Sequence, residues 1–220
     1  MRRLAFSLPA QSVVRRRKLL TTGAAAVATL ALPALLSQSW AQSTLLALTP
    51  SQTEGPFYPL TLPADSDFDL LKNGNASYWH GQPAWVEGTV RDTAGKPVAG
   101  AVVEIWQCDH AGHYHHPGDG GRADPAFQGF GRVAVGSDGR YRFRTLKPAA
   151  YAGRTPHIHV KVRLDRKDLL TTQLYVAGDP GNERDFLWRR LSTDGRAALT
   201  APFTAVSDGL QARFPLVVQA

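Results

Sequence analysis

The sequence predicts an all-β protein, an antiparallel β-sandwich with long loops at its active end. Three observations carry this. Apolar residues alternate with polar ones over short runs, the runs follow one another closely, and turn formers such as Asp92-Thr93-Ala94-Gly95 and Ser137-Asp138-Gly139 stand between them. Several short strands at such spacing close into a sandwich or a barrel.

The elements follow in order. Residues 49–82 hold few periodic runs and many turn formers, Thr53-Glu54-Gly55-Pro56-Phe57-Tyr58-Pro59 among them, and read as an extended segment laid over a core. Strands are expected over 85–91, 102–107, 131–135, 140–144, 157–162, 172–176 and 214–218. Tyr141 and Tyr175 lie in strand patterns and are expected in the core. Residues 183–191 read as one short helix. The loop between Asp109 and Phe130 is long for a compact domain, which points to function or mobility.

The start of the chain reads as a transport signal over residues 1–41. Arg15-Arg16-Arg17-Lys18 precedes an apolar run from Gly23 to Leu36, and Ser39-Trp40-Ala41 places small residues where a signal peptidase cuts, near Ala41. Arg16-Arg17-Lys18-Leu19-Leu20 fits the twin-arginine route to the periplasm or outside, with an ordinary secretory signal as the alternative. The run is 14 residues long and contains Pro33, too short for a stable membrane anchor. Three regions result: the signal 1–41, the extended segment 42–82 and the sandwich 83–220. Six basic residues and no acidic one fall within 1–41, so the formal charge drops from +7 to +1 beyond it and gives no argument for nucleic-acid binding. The single cysteine, Cys108, cannot form an internal disulfide and reads as a small buried hydrophobe.

The chemistry concentrates between Tyr114 and His159. Ile158, Val160 and Val162 alternate with His157, His159 and Lys161, so one strand face is apolar and both imidazoles project from the other. Two imidazoles so placed can share one metal ion, and the phenols of Tyr114 and Tyr151 can complete a set of two nitrogens and two oxygens. A phenol, with a pKa of about 10, binds well only to a strongly acidic cation. Zinc and the softer metals prefer other ligands, so a hard trivalent ion suits this set better, and iron is the most available candidate. Four ligands leave positions open for substrate. The loop histidines His110, His113, His115 and His116 are an alternative cluster, either solvated or holding a second metal.

The series Thr53-Glu54-Gly55-Pro56-Phe57-Tyr58, Gly88-Thr89-Val90, residues 97–107, Gly112-His113-Tyr114, Pro156-His157-Ile158-His159 and Thr172-Gln173-Leu174-Tyr175 resembles the intradiol ring-cleavage dioxygenases, over about residues 50–178. The specific part is the order Tyr, Tyr, Arg, His-x-His, Gln. Shared phrases in residues 88–107 also occur in non-catalytic transthyretin-like sandwiches. The resemblance implies a transthyretin-like sandwich holding non-haem Fe(III) on Tyr114, Tyr151, His157 and His159. It implies cleavage of a catechol-type ring between its two hydroxylated carbons, with both atoms of O2 entering a muconate-type diacid. In those terms Tyr151 gives way to the substrate and accepts one of its protons, Arg154 stabilises negative charge on the ring, and Gln173 lines the pocket. Gly55, Pro56 and Tyr58 match residues lining the substrate site. The segment from Tyr151 to His157 is shorter than in the catechol and protocatechuate enzymes, and a closer likeness is to short exported single-chain relatives. A secreted binding sandwich without catalysis and a periplasmic metal-binding protein are the alternatives. Self-association into a homo-oligomer stays open.

Overall fold

The computed structural model describes residues 45–220; the transport signal expected over 1–41 lies outside the described residues. In chain order the strands are β1 (Lys72–Asn73), β2 (Ala76–Ser77), β3 (Pro83–Asp92), β4 (Val102–Trp106), β5 (Phe130–Ala134), β6 (Arg140–Leu146), β7 (His157–Leu164) and β8 (Lys167–Val176). Two short helices follow, α1 (Phe186–Arg189) and α2 (Thr193–Leu199), then β9 (Thr200–Ala201), β10 (Thr204–Val206), β11 (Gly209–Arg213) and β12 (Leu216–Val218). Among the described residues no helix is long and apolar enough to cross a membrane.

Two five-stranded sheets make the sandwich. In the first, β6 pairs with one edge of β3 while β11 and then β12 pair along the other, and β10 lies outside β11. The second runs β5-β4-β7-β8-β9. Alternation does what its period requires. Val86, Val90, Phe143, Ile105, Ile158, Val160 and Leu174 turn inward into one shared core and are fully buried. Burying each of these side chains contributes about 1.5–3 kcal/mol before entropy is counted. Leu70 and Tyr78, from the turn-rich N-terminal segment, belong to the same core.

The expected strands are present, and the differences have local causes. The pairing is not purely antiparallel: β11 and β12 run parallel to β3, and β9 runs parallel to β8. The handover from β11 to β12 occurs at Phe214, whose carbonyl would lie 2.1 Å from a Cβ at position 88. Gly88 is therefore required for the chain to cross there. The helix expected over 183–191 is a 3-10 turn at Asn182–Arg184 and a single turn of α1, because Asp185 between them takes an extended conformation (φ −74°, ψ 122°). Its carboxylate caps α1 by accepting from the amides of Leu187 and Trp188. The second helix, α2, was not expected. The tyrosines differ too. Both belong to the buried core, as expected, but the Tyr141 hydroxyl donates to the Phe214 carbonyl, whereas Tyr175 stands opposite His157 in the register of β7 and β8.

Candidate functional site

The site lies on the outer face of the second sheet. Register places Trp106 of β4 and Gln173 of β8 on either side of His159, and Tyr175 beside His157. Residues 50–58 cross this face as a strap: the Gln52 amide donates to the Thr171 carbonyl (2.8 Å), and Gln173 Nε2 donates to the Thr53 carbonyl (3.1 Å). That cover explains why so polar a face is buried, with His157 and His159 at 0% and 1% exposure.

The four candidate ligands form a closed ring of aromatic neighbours. Centroid separations are 4.9 Å for Tyr114–Tyr151, 5.3 Å for Tyr151–His157, 4.8 Å for His157–His159 and 6.2 Å for Tyr114–His159. Tyr114 arrives on the long loop, where its amide donates to Asp119 (3.0 Å). Tyr151 opens a tight turn in which Ala152 and Gly153 have φ of +43° and +78° and the Arg154 amide donates back to the Tyr151 carbonyl (2.7 Å). Two successive positive φ values make a type I′ turn, and this is how so short a segment delivers both Tyr151 and Arg154.

The donor set fits a metal ion. His157 Nδ1 lies 2.6 Å from the Thr155 carbonyl, so its proton sits there and Nε2 carries the free lone pair. That Nε2 is 3.2 Å from Nε2 of His159, two acceptor-capable nitrogens converging on one point. Burial first, and the Arg154 charge second, hold His157 down to about 4, while burial, His157 and Arg154 hold His159 well below its ordinary value; both rings are neutral. The Tyr114 hydroxyl is buried without a hydrogen-bond partner, a costly state for a polar group. Burial pushes both phenols upward, Tyr114 strongly, so neither ionises unaided. A hard, highly charged cation would satisfy all four groups at once.

Around this ring the side chains are tightly interlocked. Trp106 stacks on His159 (4.8 Å, 9° between planes), and Phe57 stacks on Tyr114 (4.6 Å). Arg154 donates through Nε to Asp185 (2.7 Å) and through Nη2 to Gln173 Oε1 (2.8 Å). Burial opposes ionisation of Asp185, but Arg154 and the amides of Trp188 and Thr155 outweigh it and hold the carboxyl below its usual range. Tyr175 donates to Gln52 (2.6 Å) and extends the same network.

Tyr114, Tyr151, Arg154, His157, His159 and Gln173 are thus brought together. Gly55 joins them, since a Cβ there would meet His159 Cε1 at 3.2 Å. Pro56 is exposed on the strap. Tyr58 is placed differently: its hydroxyl donates to the buried Glu104 (2.8 Å) and its ring stands edge-on to Trp106, so it packs behind His159. Trp106, Phe57 and Asp185 escaped the sequence reading. The first could have been found from its register opposite His159; Asp185, in an aperiodic loop, carries no such signal. The loop imidazoles are dispersed, His110 on the Tyr78 hydroxyl, His115 on the Asp124 carbonyl and His116 on the Gly118 amide. Among the described residues no three His, Cys, Asp or Glu side chains converge as a metal cluster. Cys108 is buried, and burial pushes its thiol up to about 12.

An open cleft of about 410 Å³, lined by Tyr151, Arg154, Thr155, Asp179 and Arg184, borders the ring of ligands at Tyr151. A larger concavity of about 680 Å³ borders Gly88, Tyr141 and Pro215 and contains none of these groups.

An all-β sandwich whose outer face gathers two phenols, two neutral imidazoles and a fixed guanidinium beside an open cleft has the donor set of a metal-binding class of protein. Residues 53–219 match the family model described as Dioxygenase. The chain is 33% identical to catechol 1,2-dioxygenase 1 of Acinetobacter lwoffii over 182 residues, 73% of this chain and 55% of that protein. It is 42% identical to the protocatechuate 3,4-dioxygenase beta chain of Burkholderia cepacia over 128 residues, 52% of this chain and 53% of that one. Its fold is similar to the dioxygenase domain of a dioxygenase carbohydrate-binding protein fusion from Streptomyces sp. SirexAA-E, with 32% identity and a TM-score of 0.63 over 79% of this chain and 99% of that domain. The chain belongs to the intradiol ring-cleavage dioxygenase family. It spans about half the length of the curated relatives it matches.

Proposed function

We propose that this chain is an exported ferric intradiol dioxygenase that opens a catechol-type ring between its hydroxylated carbons with O2, giving a muconate-type diacid. The observation that carries the reading is the closed ring of Tyr114, Tyr151, His157 and His159 around one convergent point. Relatives named catechol 1,2-dioxygenase and hydroxyquinol 1,2-dioxygenase supply the substrate class. Export rests on the Arg16-Arg17-Lys18 signal pattern and the cleavage site near Ala41.

Tyr114, Tyr151, His157 and His159 would hold Fe(III), which would supply the Lewis acidity that makes a bound catechol reactive toward O2. The chain does the rest. Ionised by such a metal, the Tyr151 phenolate, half-buried at the cleft, would take a proton from an entering catechol hydroxyl. Arg154, held by Asp185 and Gln173, presents a fixed positive charge to negative charge developing on the ring. Trp106 and Phe57 cover His159 and Tyr114 and keep water from the ligands.

The test is cleavage of catechol under isotopically labelled oxygen by the iron-loaded protein. The expected product is a diacid carrying both labelled atoms. An aldehyde-bearing product, from cleavage beside the hydroxyls, or no product from any of catechol, hydroxyquinol and protocatechuate, would overturn the assignment.

A further inference from the structure

Lys161 is a buried lysine outside the ligand set, and the site as described gives it no task. It follows His159 by two residues on β7, so it projects from the same face. Its side chain is 6% exposed. Its ammonium pairs with Glu54, lies 3.8 Å from Asp168 and sits 3.9 Å from the centroid of the Tyr58 ring. One cation therefore meets two residues of the strap, Glu54 and Tyr58, four positions apart.

Fixing both on one point forces the residues between them into an arch. Gly55 has φ +73° and stands against His159, with no room for a Cβ beyond 3.2 Å from Cε1. Phe57 stacks on Tyr114 at 4.6 Å and meets Tyr151 edge-on at 5.8 Å. The feet of the arch rest on the lysine, and its crown touches three of the four candidate ligands. Tyr58 is secured a second time through Glu104, itself 1% exposed. Among the described residues Glu54 has no such second anchor to the sheet: its partner is Lys161.

We propose that Lys161 is a positioning residue of the site, a clamp that closes the strap over the ligands by holding Glu54 and Tyr58 together. The spectroscopic part of its test rests on the ferric reading above; the exchange part does not.

The experiment compares native full-length protein with Lys161→Met and Glu54→Gln. Without iron, amide exchange over residues 53–58 should quicken about tenfold or more in both variants, while residues 158–164 keep their protection. With iron loaded, the iron–phenolate absorption band should move, and kcat for catechol should fall about tenfold with a smaller change in KM. Unchanged exchange over 53–58 in both variants overturns the clamp. A strap that loosens without moving the band overturns the positioning role. Should Lys161→Met fail to fold, Glu54→Gln decides, because that side chain is 42% exposed and its loss leaves the core intact. If native protein shows no band at all, the ferric reading fails, and exchange still decides the clamp.

Discussion

The two sheets of this sandwich share one pattern and present opposite outer faces. On the first, Trp85 and Glu87 of β3 stand beside Arg142 and Arg144 of β6, with Arg142 stacked on Trp85 at 3.6 Å and paired to Glu87 at 3.2 Å in contact with solvent. On the second, Glu104, His157, His159, Lys161 and Gln173 occupy the equivalent alternate positions and are buried. The strap and the loops before β5 and β7 make the difference. Charges in water need no particular partner, and pairs there contribute about 0–1 kcal/mol. Under the strap every polar group needs one, and groups left without a protein partner mark where a ligand belongs.

Four substitutions test that contrast, in order of falling effect. His159→Ala removes a convergent nitrogen from the covered face and should lower cleavage by about a thousandfold or more, with loss of bound iron by elemental analysis. Retained iron and activity would mean the ring of ligands is assigned wrongly.

Asp185→Asn strips the partner from a buried guanidinium and should cost about 3–5 kcal/mol of stability in denaturant titration. The acid side sharpens the result. Because the folded state holds this carboxyl below its ordinary 3.8, its contribution is complete above that value and disappears as pH falls through the lower folded value. The native chain should therefore lose stability below about pH 4 along a slope that Asp185→Asn partly lacks. Parallel slopes would show that Asp185 contributes nothing through its charge.

Tyr114→Phe works in two directions at once. The hydroxyl is buried with no hydrogen-bond partner among the described protein groups, so its removal should stabilise iron-free protein by about 1 kcal/mol, seen as a raised Tm. The same change should abolish much of the visible absorption of iron-loaded protein. Arg142→Ala, on the solvated sheet, should alter stability by no more than about 0.5 kcal/mol and leave cleavage unchanged. A large effect there would erase the distinction between the faces.

What the sequence showed and what it hid follow the same division. The alternation of His157 and His159 with Ile158 and Val160 is a local, period-two signal, and it places both imidazoles on one face. Tyr114 and Tyr151 have no periodic signature; ligand chemistry suggests them, and family order ties them to the site. The contacts that finish it are non-local: Asp185 reaches Arg154 across 31 residues, and Lys161 reaches Glu54 across 107. A loop aspartate and a strand lysine look in sequence like any solvated charge. The parallel pairing of β11 and β12 with β3 was hidden for the same reason, since strand direction depends on connections rather than on the alternation within a strand.

The central claim is that two phenols and two imidazoles on the covered face hold one ferric ion open to a catechol. It is tested most directly by the visible spectrum of purified iron-loaded protein, with iron counted by elemental analysis, before and after catechol is added without O2. About one iron per chain is expected, with a phenolate-to-iron charge-transfer band that shifts when catechol binds. A colourless protein after iron loading, or a band indifferent to catechol, would contradict it.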